Sequence, residues 1–197
     1  MEFGSNLKTH SLNKITYINL RWIAIIGQFV TINSVKFIFG FEFNYILANV
    51  IVFFGAISNL VLIFFFKKTQ LSEKLSLNFL IIDILQLSFL LYLTGGTINP
   101  FSIFLIIPSI FASSSLNLKT NIMLITLTII SIIFLTFFHK ELPSPLNNYI
   151  FNKHYYYSVP IALIVALIFL NFFAITFGIE SKVRKEALDK IQEVISK

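Results

Sequence analysis

Thr94 to Phe101 read TGGTINPF, the one place in the chain where two glycines, an asparagine and a proline crowd together between long apolar segments. Gly95 and Gly96 carry no side chain to hold a flat molecule off the backbone. Their amides and that of Asn99 can donate hydrogen bonds, and Phe101 offers a ring to stack on. A quinone headgroup matches that set: its carbonyls are uncharged acceptors, its ring is flat, and its isoprenoid tail belongs in lipid. The same residues also make a complete helix hairpin. Glycine ends a helix cheaply at positive φ, Pro100 suits a first helical position, and Asn99 before it caps the following amides.

Other residues able to do chemistry are few. Asp83 stands in an apolar run about 11 residues before Thr94, roughly 16 Å below the end of its helix at 1.5 Å per residue. A carboxylate at that depth is expected to be neutral, paired or turned to a wet cavity. Gln86, three residues on, shares its face, and Gln28, Asn33 or Asn59 are the expected partners of Asp83. A structural role and a relay role for Asp83 and Gln86 are both open. The histidines, His10, His139 and His154, all fall outside the apolar runs. Haem ligation would want histidines inside helices, and His139 with His154 on one loop make a weak metal site, so no metal and no catalytic residue is assigned. There is no cysteine, hence no disulfide or thiolate site within these residues.

The elements that must position these residues follow from composition. The 197 residues are 56% hydrophobic and 12% charged, with 24 phenylalanines, which excludes an ordinary soluble domain. A membrane-crossing helix needs about 20 mostly apolar residues. Six windows qualify: 22–39, 45–66, 75–93, 100–116, 122–138 and 158–177. They are continuously apolar, which favours helices over barrel strands. The expected fold is all-α: a polytopic membrane protein with six transmembrane helices over 1–179, and a cytoplasmic helical tail over 180–197. The first window is too long and too late for a signal peptide. Pro108 is expected to bend the fourth helix.

Lysine and arginine placement sets orientation, because positively charged loops stay cytoplasmic. With both termini inside, the inner segments collect Lys8, Lys14, Arg21, Lys67, Lys68, Lys74, Lys119, Lys182, Arg184, Lys185, Lys190 and Lys197, against Lys36, Lys140 and Lys153 outside. TGGTINPF then lies at the outer face, with Tyr155, Tyr156 and Tyr157 as an aromatic belt. The formal net charge of +6 reads as a topology signal, and no nucleic-acid partner is expected. After Gly178 the tail has neither glycine nor proline. Glu180 with Arg184, Glu186 with Lys190 and Glu193 with Lys197 are i, i+4 pairs in the helix-favouring order. Leu188, Ile191 and Ile195 make one apolar seam, and Ala187, Ile191 and Val194 a competing one.

The run DILQLSFLLYLTGGTINPF, continuing through SIFLIIPSIFASSSL, resembles the sensor region of RegB/PrrB/ActS-type redox-responsive sensor histidine kinases. Their signature is Gly-Gly-x-x-Asn-Pro-Phe, here Gly95, Gly96, Thr97, Ile98, Asn99, Pro100 and Phe101. LRWIAIIGQ, Leu20 to Gln28, is similar to the family's first helix. The resemblance implies a redox-sensing membrane domain in the bacterial inner membrane, ubiquinone as the sensed ligand at the heptapeptide, and a homodimer. It also implies a cytoplasmic kinase that addresses a response regulator. The kinase's phospho-accepting histidine, its nucleotide motifs and the family's redox-active cysteine are not among these residues. His139 opens HKELPSPL, but Lys140 interrupts the phospho-acceptor pattern and the segment falls on the outer side. The alternatives are a quinone-reactive membrane enzyme subunit and a small polytopic transporter.

Overall fold

A computed structural model describes residues 12–113, 115–142 and 153–195. The chain opens with a two-residue strand β1 (Leu12–Asn13), followed by α1 (Lys14–Phe37), α2 (Tyr45–Phe65), a second short strand β2 (Gln70–Leu71) and α3 (Glu73–Leu93). A 3-10 turn at Gly96–Ile98 leads into a 3-10 helix, Pro100–Ile106, which passes into α4 (Ile107–Ser113). The remainder is α5 (Leu118–Phe137) and α6 (Lys153–Ile195). Asparagine caps recur: Asn13, Asn44 and Asn117 each accept from a first-turn amide, satisfying a donor the helix itself leaves unpaired.

Among the described residues, five helices are long and apolar enough to cross a membrane: Lys14–Phe37, Tyr45–Phe65, Glu73–Leu93, Leu118–Phe137 and Val159–Thr176 within α6. The fourth expected span is different. Pro100–Ser113 is a shorter apolar stretch, wound as 3-10 helix for its first half. Pro108 explains the change of winding, because it has no amide to reach back to Phe104; the Phe104 carbonyl instead accepts from Ile107 in the tighter pattern. Pro108 therefore sits at a 3-10-to-α junction rather than bending a uniform α-helix. The longer rise of the 3-10 form, about 2.0 Å per residue against 1.5 Å, lets the segment reach roughly 24 Å.

That segment carries the chain from one end of the bundle to the other. At one end β1 pairs antiparallel with β2, Leu12 opposite Leu71 and Asn13 opposite Gln70, and the Thr120 hydroxyl of α5 donates to Glu73 at the start of α3. At the opposite end the Lys140 amide, just past α5, donates to the Tyr92 carbonyl of α3 at 2.8 Å. The paired strands mark the clasp end, and residues 94–99 the hairpin end. Lys14, Lys67, Lys68, Lys74 and Lys119 gather at the clasp end, and Lys36 and Lys140 at the hairpin end. The α6 helix is continuous for 43 residues, about 65 Å, roughly twice the ~30 Å of a hydrocarbon core.

Among the described residues, two apolar cores hold the bundle. The larger joins α3, the 3-10 helix, α4, α5 and α6 through Leu80, Ile84, Leu105, Ala112, Leu124, Ile132 and Leu167. The smaller joins α1, α2 and the last turns of α3 through Ile25, Ile32, Ala48, Val52, Leu90 and Leu93. Large apolar side chains such as Phe53, Phe54, Phe89, Phe134 and Phe169 stay exposed around the outside, as a surface meeting lipid requires.

Where apolar contacts lend no direction, polar groups fix the pairing. Buried Asn171 on α6 donates to Ser109 Oγ at 3.0 Å, and Ser113 Oγ donates to Asn171 Oδ1 at 2.5 Å. Asn33 and Asn49 exchange amide bonds of 3.0 and 3.2 Å between α1 and α2. Asn171→Leu, which removes the bonds from α6 to Ser109 and Ser113 but leaves their hydroxyls donating to the Ile106 and Ser109 carbonyls, is expected to cost about 1–2 kcal/mol. Thermal unfolding in mild detergent checks this, with Ser109→Ala and Ser113→Ala expected to cost less on the Leu background than in the wild type.

Candidate functional site

The hairpin after α3 is built around its glycines. Gly95 has φ +103° and Gly96 φ +62°, left-handed geometry that L side chains rarely adopt. The space beside them is filled by the chain itself. A Cβ on Gly95 would stand 2.9 Å from the Leu142 Cα, and one on Gly96 would stand 2.8 Å from the His139 Cβ. The face expected to admit a flat ligand is thus where the segment after α5 packs.

Asn99 organises the rest of the hairpin. Its Oδ1 accepts from the Phe101 amide at 2.9 Å, capping the 3-10 helix in the way the Asn-Pro pair predicts. Its Nδ2 donates to the Thr94 carbonyl and lies at the same 2.8 Å from the Thr94 hydroxyl, and its backbone amide donates to the Gly96 carbonyl at 3.3 Å. The donors offered by Asn99 are therefore engaged within the hairpin. Thr97 is the polar group left over: 1% exposed, with no partner for its hydroxyl. Pro100 and Phe101 are exposed. The Phe101 and Phe104 rings lie 5.9 Å apart at 31°, and together with Ile103 and Ile107 they form an apolar flank on the outside of the bundle.

The five hairpin residues thus divide. Pro100 and Phe101 present an open aromatic flank, while Gly95, Gly96 and Asn99 hold the turn.

Asp83 lies midway along α3, and its partner is not one of the expected amides. The carboxylate receives Arg21 Nε and Nη2, each at 2.9 Å, and the Tyr17 hydroxyl at 2.5 Å. Arg21 is 5% exposed; its Nη2 also donates to Ser58 Oγ at 2.9 Å, and its Nη1 lies 3.4 Å from Asn59 Oδ1. Arg21 is accordingly a residue inside α1 and not a loop charge, because α1 begins at Lys14 and carries Arg21 nearly two turns into the bundle. A carboxylate in an apolar run needs a donor of matching charge, and the arginine just before the first apolar window was the signal available. Gln28 and Asn33 are bonded elsewhere, and Asn59 reaches this cluster only through Arg21.

Gln86 crosses to α1 as well, donating to Gln28 Oε1 at 2.9 Å. Gly55 on the intervening α2 makes this crossing feasible: a Cβ there would meet Gln86 Nε2 at 2.8 Å. Tyr17, Arg21 and Gln28 on α1 therefore face Asp83 and Gln86 on α3, a polar seam through an otherwise apolar region. His139 Nδ1 lies 2.8 Å from the Lys140 carbonyl. No group of three or more metal-binding side chains gathers among the described residues. His10, the His154 side chain, the Tyr155 and Tyr156 rings and the tail pairs Glu180–Arg184, Glu186–Lys190 and Glu193–Lys197 lie outside them.

Over 175 residues, 88% of this chain, the sequence is 29% identical to the sensor histidine kinase RegB of Cereibacter sphaeroides. The match covers 38% of that protein's length. No family model matches the chain, and no solved structure matches it. The chain is thus similar to a RegB-type sensor region, and this similarity with the apolar helices supports a sensor-kinase membrane domain.

Removing one member of the buried pair leaves the other charge without its partner. Arg21→Met or Asp83→Leu alone is expected to lower stability by about 3 kcal/mol or more, and the double substitution to recover most of that. Unfolding midpoints in detergent micelles, compared across the double-mutant cycle, measure it.

Proposed function

We propose that this chain is the membrane redox-sensing domain of a two-component sensor histidine kinase. It binds ubiquinone at the hairpin of residues 95–101 and passes redox state to a cytoplasmic kinase, which in turn addresses a response regulator. The observation that carries this reading is the 175-residue similarity to a sensor histidine kinase, an extent that necessarily includes the hairpin. In this reading six segments cross the bilayer of a bacterial inner membrane with both termini cytoplasmic. The clustering of lysines at the clasp end supports that orientation.

The ring lies against the Pro100–Phe101 flank with its tail along Phe104 in lipid, and its carbonyls compete with Thr94 for the Asn99 amide. Oxidised quinone offers acceptors only, whereas the quinol's hydroxyls also donate, so donors at the hairpin favour the oxidised form. A ligand shifts an equilibrium only by its difference in affinity between two states. A tenfold preference is worth about 1.4 kcal/mol, enough to bias a nearly balanced switch. The relay runs down α3 through Gln86 and Asp83 to α1, and output leaves along α6. Leu188 and Ile191 are exposed on that helix, which supports pairing of two copies as a homodimer; the Ile195 and Val194 side chains of the two seams lie outside the described residues.

Quinone titration of the purified chain in lipid nanodiscs tests the site. Asn99→Ala is expected to weaken binding by about 1 to 3 kcal/mol, and Phe101→Ala to weaken it as well. Unchanged affinity in both, with the fold intact, removes the assignment. Cysteines placed singly at Leu188 and Ile191 are expected to crosslink between copies in native-like lipid; a monomeric mass there argues against the dimer.

A further inference from the structure

The loop between α2 and α3 at the clasp end has features that quinone sensing does not use. An open groove of about 620 Å3 runs between the end of α2 and the start of α3. Its walls are mainly apolar, with Phe65, Phe66 and Leu75, and Lys67, Lys68 and Lys74 stand on it. All three lysines are exposed, and among the described residues none of them makes an ion pair.

Nearby acceptors are already engaged. The carbonyls at the end of α2 would attract a cation, but Lys14 occupies them, its Nζ donating to Ile63 O at 3.2 Å and to Phe66 O. Glu73 accepts from the Thr120 hydroxyl, which turns its carboxylate toward α5. The β1–β2 clasp and the Lys14 amide bond to the Thr69 carbonyl at 3.0 Å hold the loop in place. Three exposed cations are therefore carried on a held loop beside an apolar groove, and the nearby Glu73 is hydrogen-bonded to another helix.

We propose that this groove binds an anionic phospholipid, with its phosphate among Lys67, Lys68 and Lys74 and an acyl chain along Phe65 and Leu75. Lysines that only set topology need no groove, and a free phosphate has no use for apolar walls. The amphipathic lining at a bilayer-facing helix end fits a lipid, for which clustered basic residues next to a membrane helix are a known recognition chemistry. The site couples the lipid leaflet to the loop that also clamps the start of α1.

The test is native mass spectrometry of the full chain released from nanodiscs containing phosphatidylglycerol and phosphatidylcholine. Wild type is expected to retain phosphatidylglycerol selectively. The combined Lys67→Gln, Lys68→Gln and Lys74→Gln variant is expected to lose that selectivity by about tenfold or more. The corresponding Lys→Arg triple controls for folding and keeps it. Lys119→Gln, a charge removed at the same end but away from the groove, is expected to leave retention unchanged. Three results overturn the proposal: retention unaffected by the Gln triple, an equal loss in Lys119→Gln, which signals diffuse attraction, or displacement of the lipid by millimolar inorganic phosphate, which signals an ion site.

Discussion

The pairing of Arg21 with Asp83 constrains the arrangement of the first three helices more than any apolar contact does. In lipid, one greasy helix face is nearly equivalent to another, so packing of leucines and phenylalanines alone leaves rotation about a helix axis weakly specified. A guanidinium and a carboxylate inside the same bundle remove that freedom, since each is costly without the other. The bond from the Tyr17 hydroxyl fixes the second carboxylate oxygen, and Ser58 and Asn59 receive the rest of the guanidinium. With α1 and α3 so oriented, Gln28 and Gln86 fall within reach of each other, and Gly55 leaves the room they need.

The second half of the chain obeys the same rule with neutral groups. Ser109, Ser113 and Asn171 tie α4 to α6, and Asn121 Oδ1 lies 3.1 Å from Ser113 Oγ, although Asn121 Nδ2 has no partner. Turning that amide over gives its NH2 group an acceptor in Ser113, whose single hydrogen is then kept for Asn171. The helix held by this cluster is α6, the one that continues far beyond its apolar stretch.

At the hairpin, one side chain holds two elements together. Asn99 uses its oxygen to cap one helix and its NH2 group to hold the end of another. In the proposed binding mode, a carbonyl that recruited the NH2 group would loosen α3 from the start of the 3-10 helix.

Much of this was legible in the sequence. Continuous apolar runs dictate helices because the backbone in lipid must satisfy itself, the Asn-Pro pair dictates a cap, and adjacent glycines dictate a left-handed turn. The sequence also marked Asp83 as a residue in need of a partner. It did not say which partner, because Arg21 is 62 positions away and its charge reads equally well as a topology signal until the start of α1 is known. Nor did it say that Leu142 and His139 would occupy the space beside Gly95 and Gly96, since that depends on where α5 ends relative to α3. The 3-10 winding of Pro100–Ile106 was hidden for a related reason: a missing amide at Pro108 is local, but whether the chain answers it by bending or by winding more tightly depends on the distance to be covered between the ends of the bundle. Local backbone chemistry and the solvent are written in one dimension; the pairing of distant polar groups is set only when the helices pack and each buried donor must find its acceptor.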